Sequence, residues 1–183
     1  MNRLKQGVMV AVVGVMLAAC GGGPKKPDWV MKGSGAFKAD KKMFYGVGIA
    51  EAIQSEALRR TTADNRAINE ISKQLSTIST SLMRDYMAHA SVPPTAKANE
   101  EQYVENTVKT FTNNVVSGVK VTDRYYDEKR NVFYSLAVLN LEDLEGMADQ
   151  MQSLSSEVRD HIKANAEKAF DVMSEEEAKR DGQ

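Results

Sequence analysis

Residues 119–140 read VKVTDRYYDEKRNVFYSLAVLN. Val119 to Tyr126 and Val132 to Asn140 are rich in β-branched and aromatic residues, and they flank the charged segment Asp127-Glu128-Lys129-Arg130-Asn131. This pattern predicts a β-hairpin. In the second strand Val132, Tyr134, Leu136 and Val138 alternate with Phe133, Ser135, Ala137 and Leu139. Upstream, Met43 to Ala50 (MFYGVGIA) predicts another strand. Met43, Tyr45, Val47 and Ile49 share one face, and Phe44, Gly46, Gly48 and Ala50 share the other. The second face is nearly bare and would let a helix approach closely. Gly46-Val47-Gly48 is not a dinucleotide loop, because the third glycine it needs falls on Glu51.

The segments between these strands carry helical periodicity. From Ser55, a plausible N-cap, to about Met87 the residues Ile68, Ile71, Leu75, Ile78, Leu82 and Tyr86 recur at steps of three and four. That stripe should face the sheet, with Arg59, Arg60, Arg66 and Lys73 on the solvated side. Ala90 to Ala98, with Pro93-Pro94, predicts a loop. Glu100 to Val116 predicts a second helix through Val104, Val108, Phe111 and Val115, ended by Gly118. The expected fold class is α+β, with a core that includes Tyr45, Val47, Ile71, Leu75, Ile78, Leu136 and Val138.

From Leu141 the period is helical to about Lys179. Leu144, Met147, Met151, Leu154 and Val158 follow a heptad. His161 then takes the next heptad position, and the apolar line shifts to Ile162, Ala166, Ala169 and Met173, a stutter. One helix of that length would run about 55 Å and outreach the domain. Leu144 to Val158 is therefore expected to dock on the body or on a neighbouring subunit. Ile162, Phe170 and Met173 are expected to form an interaction face. The end, Ser174 to Gln183, is acidic.

The N-terminus says where the protein resides. Arg3 and Lys5 precede an uncharged run, Gly7 to Ala19, of about 20 Å as a helix, too short to cross a bilayer. The tetrad Leu17-Ala18-Ala19-Cys20, followed by Gly21, reads as a bacterial lipoprotein signal with cleavage between Ala19 and Cys20 and a lipid on Cys20. Ordinary secretion, with cleavage after Gly21, is the competing reading. Leu17 argues against it, being bulky where an ordinary signal peptidase takes a small residue. Three acyl chains, as bacterial lipoproteins carry, would anchor the chain effectively permanently, whereas one would hold it only marginally. Gly21 to Pro27 (GGGPKKP) reads as a tether, and Lys25 and Lys26 could meet anionic head groups. Trp29 could lie in the membrane interface or seal the edge of the fold, and beside an otherwise ordinary domain the second is favoured.

This reading divides the chain into a signal peptide (1–19), a tether (20–27), an α+β domain (28–140) and a C-terminal helix with its tail (141–183). Cys20 is the only cysteine, so no internal disulfide can form. Once Arg3 and Lys5 leave with the signal, the mature net charge is about −3, which gives no electrostatic footprint for nucleic acid. No catalytic, metal or cofactor constellation stands out. His89 and His161 are far apart in sequence without a ligand pattern beside them. Gly33-Ser34-Gly35 lacks the nucleophile-elbow spacing. No small-molecule substrate is evident.

With its elements in order, the chain resembles the small bacterial lipoprotein family of the Lpp-twenty and FlgP type. The motifs are PDWV (Pro27–Val30), YGVGIA (Tyr45–Ala50), the alanine-rich helix with Ala57, Ala63, Ala67 and Leu75, and VFYSLAVLN (Val132–Asn140). The resemblance spans Pro27 to about Met151 and does not extend to the C-terminal helix. It implies a helix packed on a three-stranded antiparallel sheet, like dodecin-like domains. It also implies an outer-membrane lipoprotein facing the periplasm, since Gly21 stands where an inner-membrane retention signal would place Asp. The FlgP type builds disks around the flagellar basal body. Three readings follow. The first is a structural, self-associating envelope lipoprotein. The second is a periplasmic adaptor that holds another envelope protein through the C-terminal helix. The third is a lipid-anchored enzyme, the least supported.

Overall fold

The computed structural model describes residues 25–37, 42–89, 97–152 and 154–181. The hairpin forms as the pattern requires. Strand β2 (Lys120–Asp127) and strand β3 (Val132–Asn140) pair antiparallel, with Tyr125 opposite Tyr134. A bulge between Val121 and Asp123 shifts the register of β2. The turn closes with Asn131 at φ 55°, a left-handed conformation that Asn tolerates better than most residues. Strand β1 (Met43–Ala50) adds to the other side of β3, from Met43 opposite Asn140 to Ala50 opposite Phe133. The sheet order is therefore β1-β3-β2, all antiparallel.

The bare face of β1 is where the long helix docks. Helix α2 (Glu56–His89) begins after Ser55, whose Oγ accepts the Leu58 N–H at 3.4 Å. Its Ile71, Leu75, Ile78 and Leu82 are fully buried, as the stripe predicts. Contact is backbone-close. A Cβ on Gly48 would sit 1.9 Å from the Ala63 carbonyl oxygen, and one on Gly46 would sit 2.2 Å from that of Ala67. Both glycines are required by this approach, and Ala63 and Ala67 are small for the same reason.

The sheet is covered on both faces, which divides the expected core. Of the residues named for it, Ile71, Leu75 and Ile78 lie on the α2 side with Phe44, Ala137 and Leu139. Tyr45, Val47 and Leu136 belong to a separate cluster with Trp29, Val30, Val132 and Tyr134, and Val138 is only half-buried. Alternation is the reason. Odd-numbered residues of β1 and even-numbered residues of β3 point away from α2. The cover on that face is helix α1 (Asp28–Lys32) and the 3₁₀ turn Gly33–Ala36.

Helix α3 (Lys97–Val116) packs on α2 through Val108, Phe111 and Val115. The expected Pro93-Pro94 loop lies outside the described residues.

The C-terminal region departs most from expectation. It is two helices, α4 (Leu141–Gln150) and α5 (Ser156–Asp181). Asn140 caps α4, its side chain accepting the Glu142 N–H at 3.1 Å. The Ser155 Oγ accepts the Val158 N–H at 3.3 Å and starts α5. Arg159 donates to the Met151 and Leu154 carbonyls at 3.1 and 2.9 Å, which ties the first turn of α5 to the segment between the two helices. The break turns α5 back along α2. The interaction face expected at Ile162, Phe170 and Met173 is thus used within the chain. These side chains are 2%, 2% and 8% exposed, and the Phe170 ring meets Phe44 edge-on at 5.1 Å. One apolar core runs from Phe44 to Met173, so residues 141–181 are integral to the domain and not an extension of it.

Candidate membrane-anchoring site

The predicted lipid site, Cys20, and the cleavage residue Ala19 lie outside the described residues, as do the rest of the signal and the tether through Pro24. The described chain begins at Lys25, and it is docked almost at once. Lys26 Nζ lies 3.7 Å from Asp127 Oδ2 and 5.6 Å above the centre of the Tyr134 ring. The expected tether of 20–27 is therefore shortened at its C-terminal end: Lys26 is held on the sheet.

The Pro27 carbonyl accepts the Val30 N–H at 3.1 Å and opens α1. Trp29 is buried, and its Nε1 donates to Asp123 Oδ2 at 2.9 Å. This is the edge-sealing arrangement: the indole body packs on Val132, Tyr134 and Leu136 while its polar tip is satisfied. Gly33, at φ 60°, turns the chain. Phe37 then stacks on Tyr45 at 3.9 Å between ring centres. Residues 26–37 form a strap across the sheet, from the β2–β3 turn towards the opposite end.

On the other face, polar side chains clamp helix to sheet. Asp64 of α2 accepts two hydrogen bonds from Arg124, at 2.9 and 3.0 Å. It accepts a third from the fully buried Ser135 hydroxyl, at 2.7 Å. Burial works to raise the Asp64 pKa, but the hydrogen bonds from Arg124 and Ser135 outweigh it and hold the carboxyl below its ordinary value. Arg59 was expected in solvent and is instead 5% exposed. It donates to the Asn131 side chain and lies 5.0 Å from the centre of the Tyr126 ring. Its signal was the four-residue spacing Arg59–Ala63–Ala67–Ile71, which places it on the stripe facing the sheet. Gln74 donates to the Tyr45 carbonyl at 3.0 Å and Arg66 to that of Ile49. These bonds cover main-chain acceptors along β1, an edge strand.

His161 sits between α5 and α2, 3.5 Å from Asp85 and with its ring edge-on to Tyr86 at 5.4 Å. His89 is the last residue of α2. Among the described residues, no group of three His, Cys, Asp or Glu side chains converges as a metal site would. No helix among them is long and apolar enough to cross a membrane. No protein-family model matches the chain, and no curated protein matches it.

Proposed function

We propose that the protein is a non-enzymatic lipoprotein of the bacterial cell envelope, held by a lipid on Cys20 in the outer membrane and facing the periplasm, where it serves as a structural, self-associating element. The observation that carries this reading is the tetrad Leu17-Ala18-Ala19-Cys20 with Gly21 behind it. The polar groups described above fit a structural role, because Asp64, Arg59, Gln74 and Trp29 spend their hydrogen bonds on holding layers together. Kinship with the Lpp-twenty and FlgP type, and with it a place near the flagellar basal body, is the narrower form of the proposal. It rests on the order of the four motifs.

The test is Cys20→Ser in cells fed a fatty-acid probe. The wild-type protein should take up label and fractionate with the outer membrane, and the variant should do neither. Undiminished labelling of the variant would remove the anchor. Wild-type protein found mainly in the inner membrane would remove the sorting.

A further inference from the structure

The strap sets which end of the domain can meet the membrane. Cys20 and Lys26 are separated by six peptide links, at most about 20 Å of fully extended chain. Lys26 is fixed at Asp127 and Tyr134, where the β2–β3 turn begins. Helix α2 starts at the same end, since Arg59 bonds to Asn131 of that turn. With 34 residues it extends about 50 Å away. A lipid on Cys20 therefore holds the turn end near the bilayer and leaves the far end of α2 beyond the reach of the anchor.

The composition of this end suits a lipid surface. Of the five large apolar side chains that the described residues leave exposed, Met31 (72%) is on the strap and Val172 (52%) is on α5; the other three, Ile49, Leu58 and Tyr126, are 43%, 57% and 40% accessible. All three lie here. Ile49 is paired with Tyr134, Leu58 is in the first turn of α2, and Tyr126 is beneath Arg59. Around them Lys25, Arg60, Lys129 and Arg130 are exposed, against Glu51, Glu56 and Glu128; Lys26 and Asp127 offset each other. The end is thus net positive on a chain that is net negative overall, the polarity that anionic lipid attracts.

We infer that the end formed by the β2–β3 turn, the close of β1 and the start of α2 is a membrane-resting face that lies on anionic lipid, with Ile49, Leu58 and Tyr126 at the head-group level. The inference rests on the lipid anchor proposed for Cys20.

The test uses the full lipidated chain. Because Cys20 is acylated, an introduced cysteine is the only free thiol. Glu128→Cys in the turn and Ser81→Cys on the exposed side of α2, about 33 Å from Arg59 along the helix axis, each receive the same fluorophore. Each protein is reconstituted in vesicles of phosphatidylethanolamine and phosphatidylglycerol containing a lipid with a quencher on its head group. Quenching at position 128 should exceed that at 81 by at least about threefold. Equal quenching, or more at 81, overturns the face. The mass of the purified protein reports acylation separately. Missing acyl chains would overturn the anchor, and the face with it. Acylated, vesicle-bound protein with equal quenching would overturn the face alone.

Discussion

An alanine at position 48 would have to place its Cβ 1.9 Å from the Ala63 carbonyl oxygen and 2.4 Å from the Ala67 nitrogen. Those are backbone atoms of α2, so no rotamer change relieves the clash and the helix must lift off the sheet. Overpacking of this kind costs about 1–3 kcal/mol or more. Gly48→Ala should therefore lower the urea midpoint clearly, and a midpoint equal to wild type would show that α2 does not sit this close. The bare face of β1 was legible in MFYGVGIA, because alternation alone brings Phe44, Gly46, Gly48 and Ala50 together. The clamp at Asp64 was not legible, since its partners Arg124 and Ser135 come from distant strands and no local pattern joins them. Its signature is pH dependence. A carboxyl held below its unfolded pKa of about 3.9 contributes stability that is present above that pH and lost as pH falls through the folded value. Unfolding by urea should thus show the wild type losing stability in acid faster than Asp64→Asn. The gap between them should be smaller at pH 3 than at pH 7. A gap of constant size would mean that the ionised carboxylate is not what the bonds to Arg124 and Ser135 stabilise.

At the scale of elements, the heptad line from Leu144 to Val158 and its continuation at Ile162 predicted helix correctly and continuity wrongly. The line runs through the break because Met151, Leu154 and Val158 all face the same core on either side of it. Apolar spacing reports which side is buried, and it does not report whether the axis is straight. The stop was written in polar residues, in the Ser155-Ser156-Glu157 start of α5 and in Arg159 reaching back to the end of α4. Once α5 folds back, its apolar side needs no partner, and Phe170 gives the test. Replacing a buried Phe by Ala costs about 3–5 kcal/mol, and here it also removes the edge-on contact with Phe44. Phe170→Ala in the soluble form that lacks residues 1–24 should lower the melting temperature markedly and leave the mass by light scattering unchanged. A drop in mass at unchanged melting temperature would return Phe170 to an interface between copies.

Among the described residues the sheet lies between two unequal covers, α2 with the helices α3, α4 and α5 grouped around it on one face and the strap on the other. The unequal thickness explains why the sequence revealed one cover and only hinted at the second. Helices of 34 and 26 residues carry enough turns to show a period. The strap holds its face with a single short helix and two rings, Trp29 and Phe37, that no periodicity marks. Its weight is nonetheless large. Trp29 and Val30 are buried against Val132, Tyr134 and Leu136, and loss of a buried Trp alone costs about 3–5 kcal/mol. Two truncations separate anchor from structure. Removal of residues 1–24 leaves every contact described here intact, so this form should melt as the full-length Cys20→Ser protein does. Removal of residues 1–37 uncovers the outer face of β3 and should lower the melting temperature steeply. The exposed apolar patch should also bind an apolar dye such as anilinonaphthalene sulfonate at temperatures where the first form does not. If both truncations melt alike, the strap is a passenger on the sheet, and the short link between the lipid and the turn end, on which the orientation at the membrane depends, is lost with it.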